Sequence, residues 1–230
     1  MSGDLVETVA GNLEVVRRRI DAAGGDRHAV KVVAVTKTFG EAEVRAALHA
    51  GLTDIGENYA DELVGKAIAL AAHPEPGVAA PRWHYLGAVQ RRHLGPLAAV
   101  VTVYEGVDRL EEGEAIARRR PGASVLVEVD TTARTGRGGV APGEVAALVT
   151  ALAGLDLAVR GLMTVAPPGA GPEAATAFEI VGRLRAELGL AEASMGMTED
   201  LELAVAAGST MVRVGRGLFG PRVGSPPVPE

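Results

Sequence analysis

Short apolar segments rich in β-branched residues alternate along this chain with longer stretches rich in alanine, leucine, glutamate and arginine. The short segments have the composition of buried strands, and the longer ones have the periodicity of amphipathic helices. Eight strand-like segments occur, at residues 31–36, 53–56, 82–86, 100–104, 124–130, 157–164, 192–195 and 210–214. Helix-like segments lie between them, at 41–50, 58–72, 91–98, 108–120, 142–153, 172–188 and 198–207. This alternation predicts a parallel sheet, because each crossover helix returns the chain to the same end of the sheet.

Parallel sheets of this kind either close into a barrel or stay open as a doubly wound sheet. The count of eight favours the closed form, so we predict a single-domain (β/α)8 TIM barrel over residues 1–220. An extra N-terminal helix is predicted over residues 3–22 and would pack outside the barrel or across its bottom. The last residues, 221–230, contain three prolines and are predicted to be a disordered tail.

Glycine marks the predicted ends of several helices. Four glycines follow directly on helical segments, where a left-handed residue often ends the helix: Gly51, Gly154, Gly189 and Gly208. We therefore expect a positive φ angle at each of these positions.

Composition excludes several functional classes. The 230 residues are 47% hydrophobic but only 3% aromatic, so the core must consist mainly of valine, leucine and alanine. The formal net charge is −6, with no basic stripe, which argues against nucleic acid as a partner. Cysteine is absent, which excludes disulfides, thiolate metal sites and a cysteine nucleophile. No signal peptide or membrane span is recognisable, so we expect a cytoplasmic protein without membrane contact.

Lys37 directly follows the first strand-like segment and is the first candidate for chemistry. An amine at the end of a buried strand can be partly desolvated, which lowers its pKa and favours attack on a carbonyl to form a Schiff base. The alternative is that Lys37 simply extends from the strand end into water.

The loops after the last two strands indicate a phosphate site. Ser194-Met195-Gly196-Met197-Thr198 opens a helix, and Val214-Gly215-Arg216-Gly217 carries two glycines that let backbone N–H groups approach an anion. Barrels often hold phosphate at these loops. A Schiff-base lysine on one side and a phosphate site on the other fit the two ends of pyridoxal 5'-phosphate (PLP).

Other polar residues fall at or near predicted strand ends, where barrel enzymes carry their chemistry. They are Glu57, Asn58, Tyr59, His84, Asp130, Thr164, Ser194 and Arg213. Among them, Asp130 is expected to cap the end of its strand or to anchor its own loop. Two charged groups are expected to be solvated: the turn at Arg91, Arg92 and His93, and the helix face of Glu111, Glu112 and Glu114. Because His28, His49 and His73 lack ligand spacing, we predict no metal site.

Six motifs in order give the chain a family resemblance. They are Val35-Thr36-Lys37, Gly56-Glu57-Asn58-Tyr59, Trp83-His84-Tyr85-Leu86-Gly87, Gly161-Leu162-Met163-Thr164, Ser194 to Asp200, and Met211 to Arg216 with Phe219-Gly220. Together they resemble the pyridoxal phosphate homeostasis proteins, the YggS/PROSC-like family, over essentially the whole chain.

The resemblance implies a barrel like that of alanine racemase, with PLP as a Schiff base on Lys37 and Asn58 near the ring. It implies phosphate contacts, largely through backbone amides, from Ser194, Met197, Gly215 and Arg216. Arg213 would lie at the pyridine nitrogen. Because arginine stays protonated and cannot accept a proton, the cofactor would be a weaker electron sink. His84 is expected as a ring-packing or hydrogen-bonding residue, with an acid/base role as the alternative.

The chain departs from the family pattern in three places. Val89 to His93 replaces Leu-Gln-x-Asn-Lys, and the loop Thr132 to Arg137 lacks a lysine that the family often has there. Arg216 stands where threonine or serine is common. The first two departures put in doubt any role that requires a lysine in those loops.

Three functions remain open at this point. The first is a PLP carrier, buffer or regulator without strong catalysis, which would be a monomer and could serve PLP-dependent apo-enzymes. The second is an amino-acid racemase or another PLP enzyme; racemases take their second acid/base from a further domain, for which we expect no room after the eighth strand. The third is an aldolase-type barrel that uses Lys37 without a cofactor. We favour the first.

Overall fold

Eight parallel strands form a closed barrel in the computed structural model, which describes residues 3–132 and 138–221. The strands follow one another around the barrel in chain order. They are β1 (Lys31–Val35), β2 (Asp54–Glu57), β3 (Arg82–Tyr85), β4 (Val101–Val107), β5 (Ser124–Glu128), β6 (Ala158–Met163), β7 (Glu192–Ser194) and β8 (Met211–Val214). The predicted (β/α)8 barrel is therefore confirmed.

Helices surround the barrel. They are α1 (Gly3–Ala22), α2 (Glu41–His49), α3 (Ala60–Ala72), α4 (Leu94–Val100), α5 (Leu110–Ala117), α6 (Val145–Ala153), α7 (Pro172–Glu187), α8 (Leu201–Ala206) and α9 (Arg216–Phe219). A 3-10 turn at Pro142–Glu144 precedes α6. The N-terminal helix α1 packs on the outside, against α2, α8 and α9, and buries Val9, Leu13, Val16 and Ile20.

Closure brings the first and last strands side by side. Ala34 of β1 lies opposite Ile55 of β2 on one side and Val214 of β8 on the other. The loops after β1, β7 and β8 therefore meet at one end of the barrel.

Side chains alternate between the two faces of the sheet. Most buried apolar residues lie between the strands and the helices, while Val103, Leu126 and Met163 form a small separate cluster. The barrel interior also holds charged and polar side chains from β2, β3, β4, β7 and β8.

The helix ends differ from the prediction at one glycine. Gly51, Gly189 and Gly208 have positive φ angles of 84°, 64° and 89°, as predicted. Gly154 does not: its φ is −68°, and the left-handed residue is Asp156, with φ 57°. The reversal into β6 therefore comes two residues later than predicted.

Two other predictions need correction. The four-residue helix α9 was not predicted, because it begins inside the glycine-containing loop after β8. Glu112 does not belong to an exposed helix face; it is buried, accepts the Asp108 N–H at 3.1 Å and contacts Arg109. Asp130, as predicted, anchors its own loop, because its Oδ1 accepts the Thr132 N–H at 2.8 Å.

Residues 222–230 of the predicted tail and the segment Arg134 to Arg137 lie outside the described residues. Within the described ranges, no helix is long and apolar enough to cross a membrane. The same ranges contain no group of three or more histidine, cysteine, aspartate or glutamate side chains that could hold a metal ion.

Candidate functional site

Lys37 lies in a turn two residues beyond the end of β1 and is half-buried. The next residue, Thr38, has a φ angle of 65°, which is uncommon for a residue with a Cβ atom. This turn is at the end of the barrel where the carboxyl ends of the strands meet, the end at which such barrels carry their sites.

A buried ion cluster supports the turn from the helix side. The Lys66 ammonium, on α3, lies 2.6 Å from Glu57 Oε1 and 2.8 Å from the carbonyl oxygen of Thr36. Thr36 donates its hydroxyl proton to the same Glu57 oxygen at 2.6 Å. Burial raises the pKa of Glu57, and the hydrogen bonds from Lys66 and Thr36 offset that effect only in part. The Glu57 side chain thus contacts α3 and the residue that precedes Lys37. Lys66 was not predicted from the sequence.

Asn58 follows β2 in a bend and is half-buried, while its neighbour Tyr59 is exposed. The loop after β3 packs tightly against this bend. A Cβ atom added to Gly87 would lie 2.1 Å from the Asn58 carbonyl oxygen, so only glycine allows this approach. The bend that contains Asn58 is therefore held in place by the loop after β3.

The loop after β7 turns sharply into α8. Gly196 has a φ angle of 92°, and a Cβ atom there would lie 2.5 Å from the Ala204 Cβ. The Met197 N–H donates to Asp200 Oδ1 at 2.6 Å, whereas the Met197 side chain is 38% exposed. The loop is therefore held by its own backbone and by one carboxylate.

The loop after β8 contacts both the β7 loop and β1. The Gly217 N–H donates to Thr198 Oγ1 at 3.3 Å, and a Cβ atom on Gly215 would lie 3.2 Å from the Val35 carbonyl oxygen. Arg216 is exposed and forms an ion pair with Glu199 of the β7 loop. Among the described residues, the N–H groups of Gly196, Thr198 and Arg216 have no hydrogen-bond acceptor.

Three of the predicted site residues lie deeper, inside the barrel. The Arg213 Nη1 donates to the Ser194 hydroxyl at 2.7 Å and to the Ser194 carbonyl at 2.6 Å, and its Nη2 donates to the Thr164 carbonyl at 2.7 Å. The Ser194 hydroxyl donates to Glu105 Oε2 at 2.5 Å, across the barrel from β7 to β4. Glu105 Oε1 lies 2.5 Å from His84 Nδ1, and His84 Nε2 lies 2.9 Å from Asp54 Oδ1.

The charges of this interior network stabilise one another. Burial lowers the pKa of His84, but the hydrogen bonds to Asp54 and Glu105 outweigh it and raise the pKa to about 9. Burial likewise opposes ionisation of Glu105, and contacts with His84 and Arg213 nevertheless hold its pKa below the usual value. Burial lowers the pKa of Arg213, against the attraction of Glu105. At neutral pH the interior thus alternates carboxylates and cations.

The eight predicted residues therefore form two levels. Five lie in the loops at the carboxyl ends of the strands, and three lie in the barrel interior beneath them: Lys37, Asn58, Met197, Gly215 and Arg216 in the loops, and His84, Ser194 and Arg213 below. Asp54 and Glu105 complete the lower level and were not predicted. A glutamate inside the apolar run Val101–Val107 was the signal that could have identified Glu105.

A family model described as "Alanine racemase, N-terminal domain" matches residues 6–223. The pyridoxal phosphate homeostasis protein of Pseudomonas aeruginosa is 37% identical, over 94% of this chain and 97% of that protein. The chain belongs to the pyridoxal phosphate homeostasis protein family. The family member of Escherichia coli K12, of the same name, is 31% identical over 93% of this chain and 97% of its own length.

Solved structures of the family have the same fold. PipY of Synechococcus elongatus without PLP matches with a TM-score of 0.80 and 29% identity, covering 92% of this chain and 100% of PipY. PipY with PLP bound matches with a TM-score of 0.73 and 28% identity, covering 89% of this chain and 100% of PipY. Alanine racemase from Corynebacterium glutamicum, at 16% identity and a TM-score of 0.67, shares the fold; this chain covers 61% of it.

Proposed function

We propose that this chain binds PLP as a Schiff base on Lys37 and acts in PLP homeostasis as a carrier, buffer or regulator, without strong catalysis of its own. One observation carries the proposal: β1 and β8 are neighbours, and Gly215 packs against Val35, two residues before Lys37. The Lys37 amine and the proposed glycine-lined phosphate site would therefore lie at the same end of the barrel, on adjacent strands. The names of the curated relatives and the PLP-bound PipY structure support the same ligand.

The loops after β7 and β8 fit a phosphate group in their chemistry. The N–H groups of Gly196, Thr198 and Arg216 have no acceptor among the described residues, and such donors bind anions readily. The exposed Arg216 guanidinium lies at the same loop, where Glu199 pairs with it. Gly215 and Gly217 allow the backbone to approach closely. The other two predicted phosphate contacts are already engaged: the Ser194 hydroxyl contacts Glu105 and Arg213, and the Met197 N–H donates to Asp200. We therefore propose that the amides of Gly196, Thr198 and Arg216 make the phosphate contacts instead.

Arg213 would face the pyridine nitrogen from below, with Asn58 beside the ring. Bound PLP supplies an electron sink for carbanion chemistry, and the sink is strongest when its pyridine nitrogen is protonated. The Arg213 guanidinium offers only donors, and three hydrogen bonds to Ser194 and Thr164 hold it in place. It can therefore donate to the ring nitrogen but cannot take part in protonating and deprotonating it.

His84 is poorly suited to act as an acid/base on a substrate. Both of its ring nitrogens contact carboxylates, Glu105 at 2.5 Å and Asp54 at 2.9 Å. Its side chain is buried in the barrel interior, and its raised pKa favours the charged form at neutral pH. We propose that His84 supports the cofactor site from beneath, as a hydrogen-bonding residue rather than a catalyst.

An absorbance titration with PLP tests the proposed function. Wild-type protein should develop the band of a Schiff base, Lys37→Ala should not, and the matched control Lys31→Ala should behave as wild type. Lys31 lies at the opposite end of the same strand. Added alanine should give no sustained racemisation or transamination. A Schiff-base band that persists in Lys37→Ala contradicts the binding proposal, and sustained racemisation would instead support the enzyme alternative. Monomeric state, a cytoplasmic location and transfer to apo-enzymes remain predictions.

A further inference from the structure

We propose that Lys66 is a positioning residue for Lys37: through Thr36, Glu57 and Glu62 it fixes the turn that presents the amine. The inference rests on the proposed function, because it concerns how Lys37 reaches the aldehyde of PLP. It extends that function to the side chains of Glu57, Glu62 and Lys66, which lie outside the loops after β7 and β8.

The two peptide groups that flank Lys37 are both held by α3. The Lys66 ammonium donates to the Thr36 carbonyl at 2.8 Å, which fixes the peptide plane before Lys37. The Glu62 carboxylate accepts the Thr38 N–H at 2.8 Å, which fixes the plane after it. Because peptide groups are planar, fixing both planes also fixes the direction of the Lys37 Cα–Cβ bond.

One face of α3 supplies both contacts. Glu62 and Lys66 are four residues apart, so they lie on the same side of the helix, and their charged atoms are 3.3 Å apart. The Lys66 ammonium has three protons and three acceptors in contact: the Thr36 carbonyl, Glu57 Oε1 and Glu62 Oε2. Thr36 is tied a second time, through its hydroxyl, to Glu57.

Stability alone is a weak explanation for this cluster. The Lys66 side chain is 10% exposed and that of Glu57 is fully buried, and buried ion pairs contribute little because both charges lose their hydration. Glu57 Oε2 also has no hydrogen-bond partner among the described residues. The cluster instead fixes the geometry of the turn at Lys37, where Thr38 must keep a left-handed φ of 65°.

The test compares two ligands that differ only in the reacting group. PLP can form a Schiff base, whereas pyridoxamine 5'-phosphate has an amine in place of the aldehyde and can bind only non-covalently. In Lys66→Met, the affinity for PLP should fall by about 10-fold or more, because a misdirected amine loses the favourable geometry for attack. The affinity for pyridoxamine 5'-phosphate should change by less than about 2-fold, since the phosphate loops are on other strands. Lys66→Arg should recover part of the PLP affinity, and Lys31→Met should leave both affinities unchanged.

A second variant keeps the test valid if the first one fails to fold. Lys66→Met leaves Glu57 as a buried charge without its cation, and the protein could then lose cooperative unfolding. In that case the double variant Glu57→Gln/Lys66→Met, which removes both charges, takes the place of Lys66→Met in the binding measurements. Equal losses for both ligands, or no loss for PLP, would overturn the positioning role. Failure of the proposed function looks different: wild-type protein would then bind PLP no more tightly than pyridoxamine 5'-phosphate.

Discussion

Arg213 and Ser194 contact each other twice inside the barrel, through the Ser194 carbonyl at 2.6 Å and the Ser194 hydroxyl at 2.7 Å from Arg213 Nη1. The Ser194 hydroxyl in turn donates a hydrogen bond to Glu105, and Glu105 contacts His84. The Arg213 guanidinium, beneath the loops after β7 and β8, is thus held by neighbouring residues and does not depend on a ligand. A PLP site above this network would have a rigid base before the cofactor binds.

Arg213→Met should destabilise the fold by about 3–5 kcal/mol, because it removes three buried hydrogen bonds and one of the two cations that hold Glu105 ionised. Urea unfolding at neutral pH measures the change. The double variant Glu105→Gln/Arg213→Met should recover part of the loss, since it also removes the negative charge that has lost one of its two cationic neighbours. If the two single losses were simply additive in the double variant, the two side chains would not be coupled.

His84 should make stability depend on pH on the alkaline side of neutrality. Its folded-state pKa is about 9, above the ordinary 6.5, so its contribution is complete below about pH 6.5 and is lost as pH rises through about 9. The difference in unfolding free energy between wild type and His84→Gln should therefore shrink by roughly 3 kcal/mol between about pH 6 and pH 10. A difference that stayed constant or grew over this range would show that His84 is not held as a cation by Asp54 and Glu105.

Gly196→Ala should weaken phosphate binding more than it weakens the fold. Its φ of 92° strains any other residue, and a Cβ atom would also meet the Ala204 Cβ at 2.5 Å, so the loop after β7 must move. Gly208→Ala is the matched control, because Gly208 has a φ of 89° but no neighbour closer than 4.0 Å to an added Cβ. Both variants should lose about 1 kcal/mol or more of stability, whereas only Gly196→Ala should bind pyridoxamine 5'-phosphate poorly. Equal affinities in the two variants would argue against a phosphate at this loop.

Lys37→Ala should fold normally. The side chain lies in a turn beyond the last residue of β1 and is only half-buried, so we expect a change of less than about 1 kcal/mol in the free energy of unfolding. Thermal unfolding without ligand provides the comparison. Loss of cooperative unfolding would mean that Lys37 is a structural residue, contrary to its proposed role.

Much of the fold could be predicted from sequence because barrel strands and helices have local signatures. The predicted helix over 3–22 coincides with α1, and the predicted segments 124–130 and 210–214 contain β5 and β8. The errors arise where a residue's state depends on distant neighbours. Glu112 lies in a sequence pattern typical of an exposed helix face but is buried. The positive φ angle predicted for Gly154 occurs instead at Asp156.

The loops of the candidate site could also be located from the sequence, because the glycine spacing and Lys37 can be recognised there directly. The hydrogen-bond network in the barrel interior could not be predicted. Glu105 and Ser194 are 89 residues apart, and only closure of the barrel brings β4 and β7 within hydrogen-bonding distance. Lys66 was not predicted for a related reason: in the sequence it is an ordinary helical lysine, and nothing in the local pattern indicates that it contacts the strand ends.

Borohydride reduction followed by peptide mapping is the most direct test of the central claim. Protein incubated with PLP and then reduced should carry one pyridoxyl group, and the modified peptide should contain Lys37. Lys37→Ala treated in the same way should remain unmodified. A pyridoxyl group found instead on Lys31 or Lys66 in the wild-type protein would contradict the assignment of Lys37 as the residue that holds PLP.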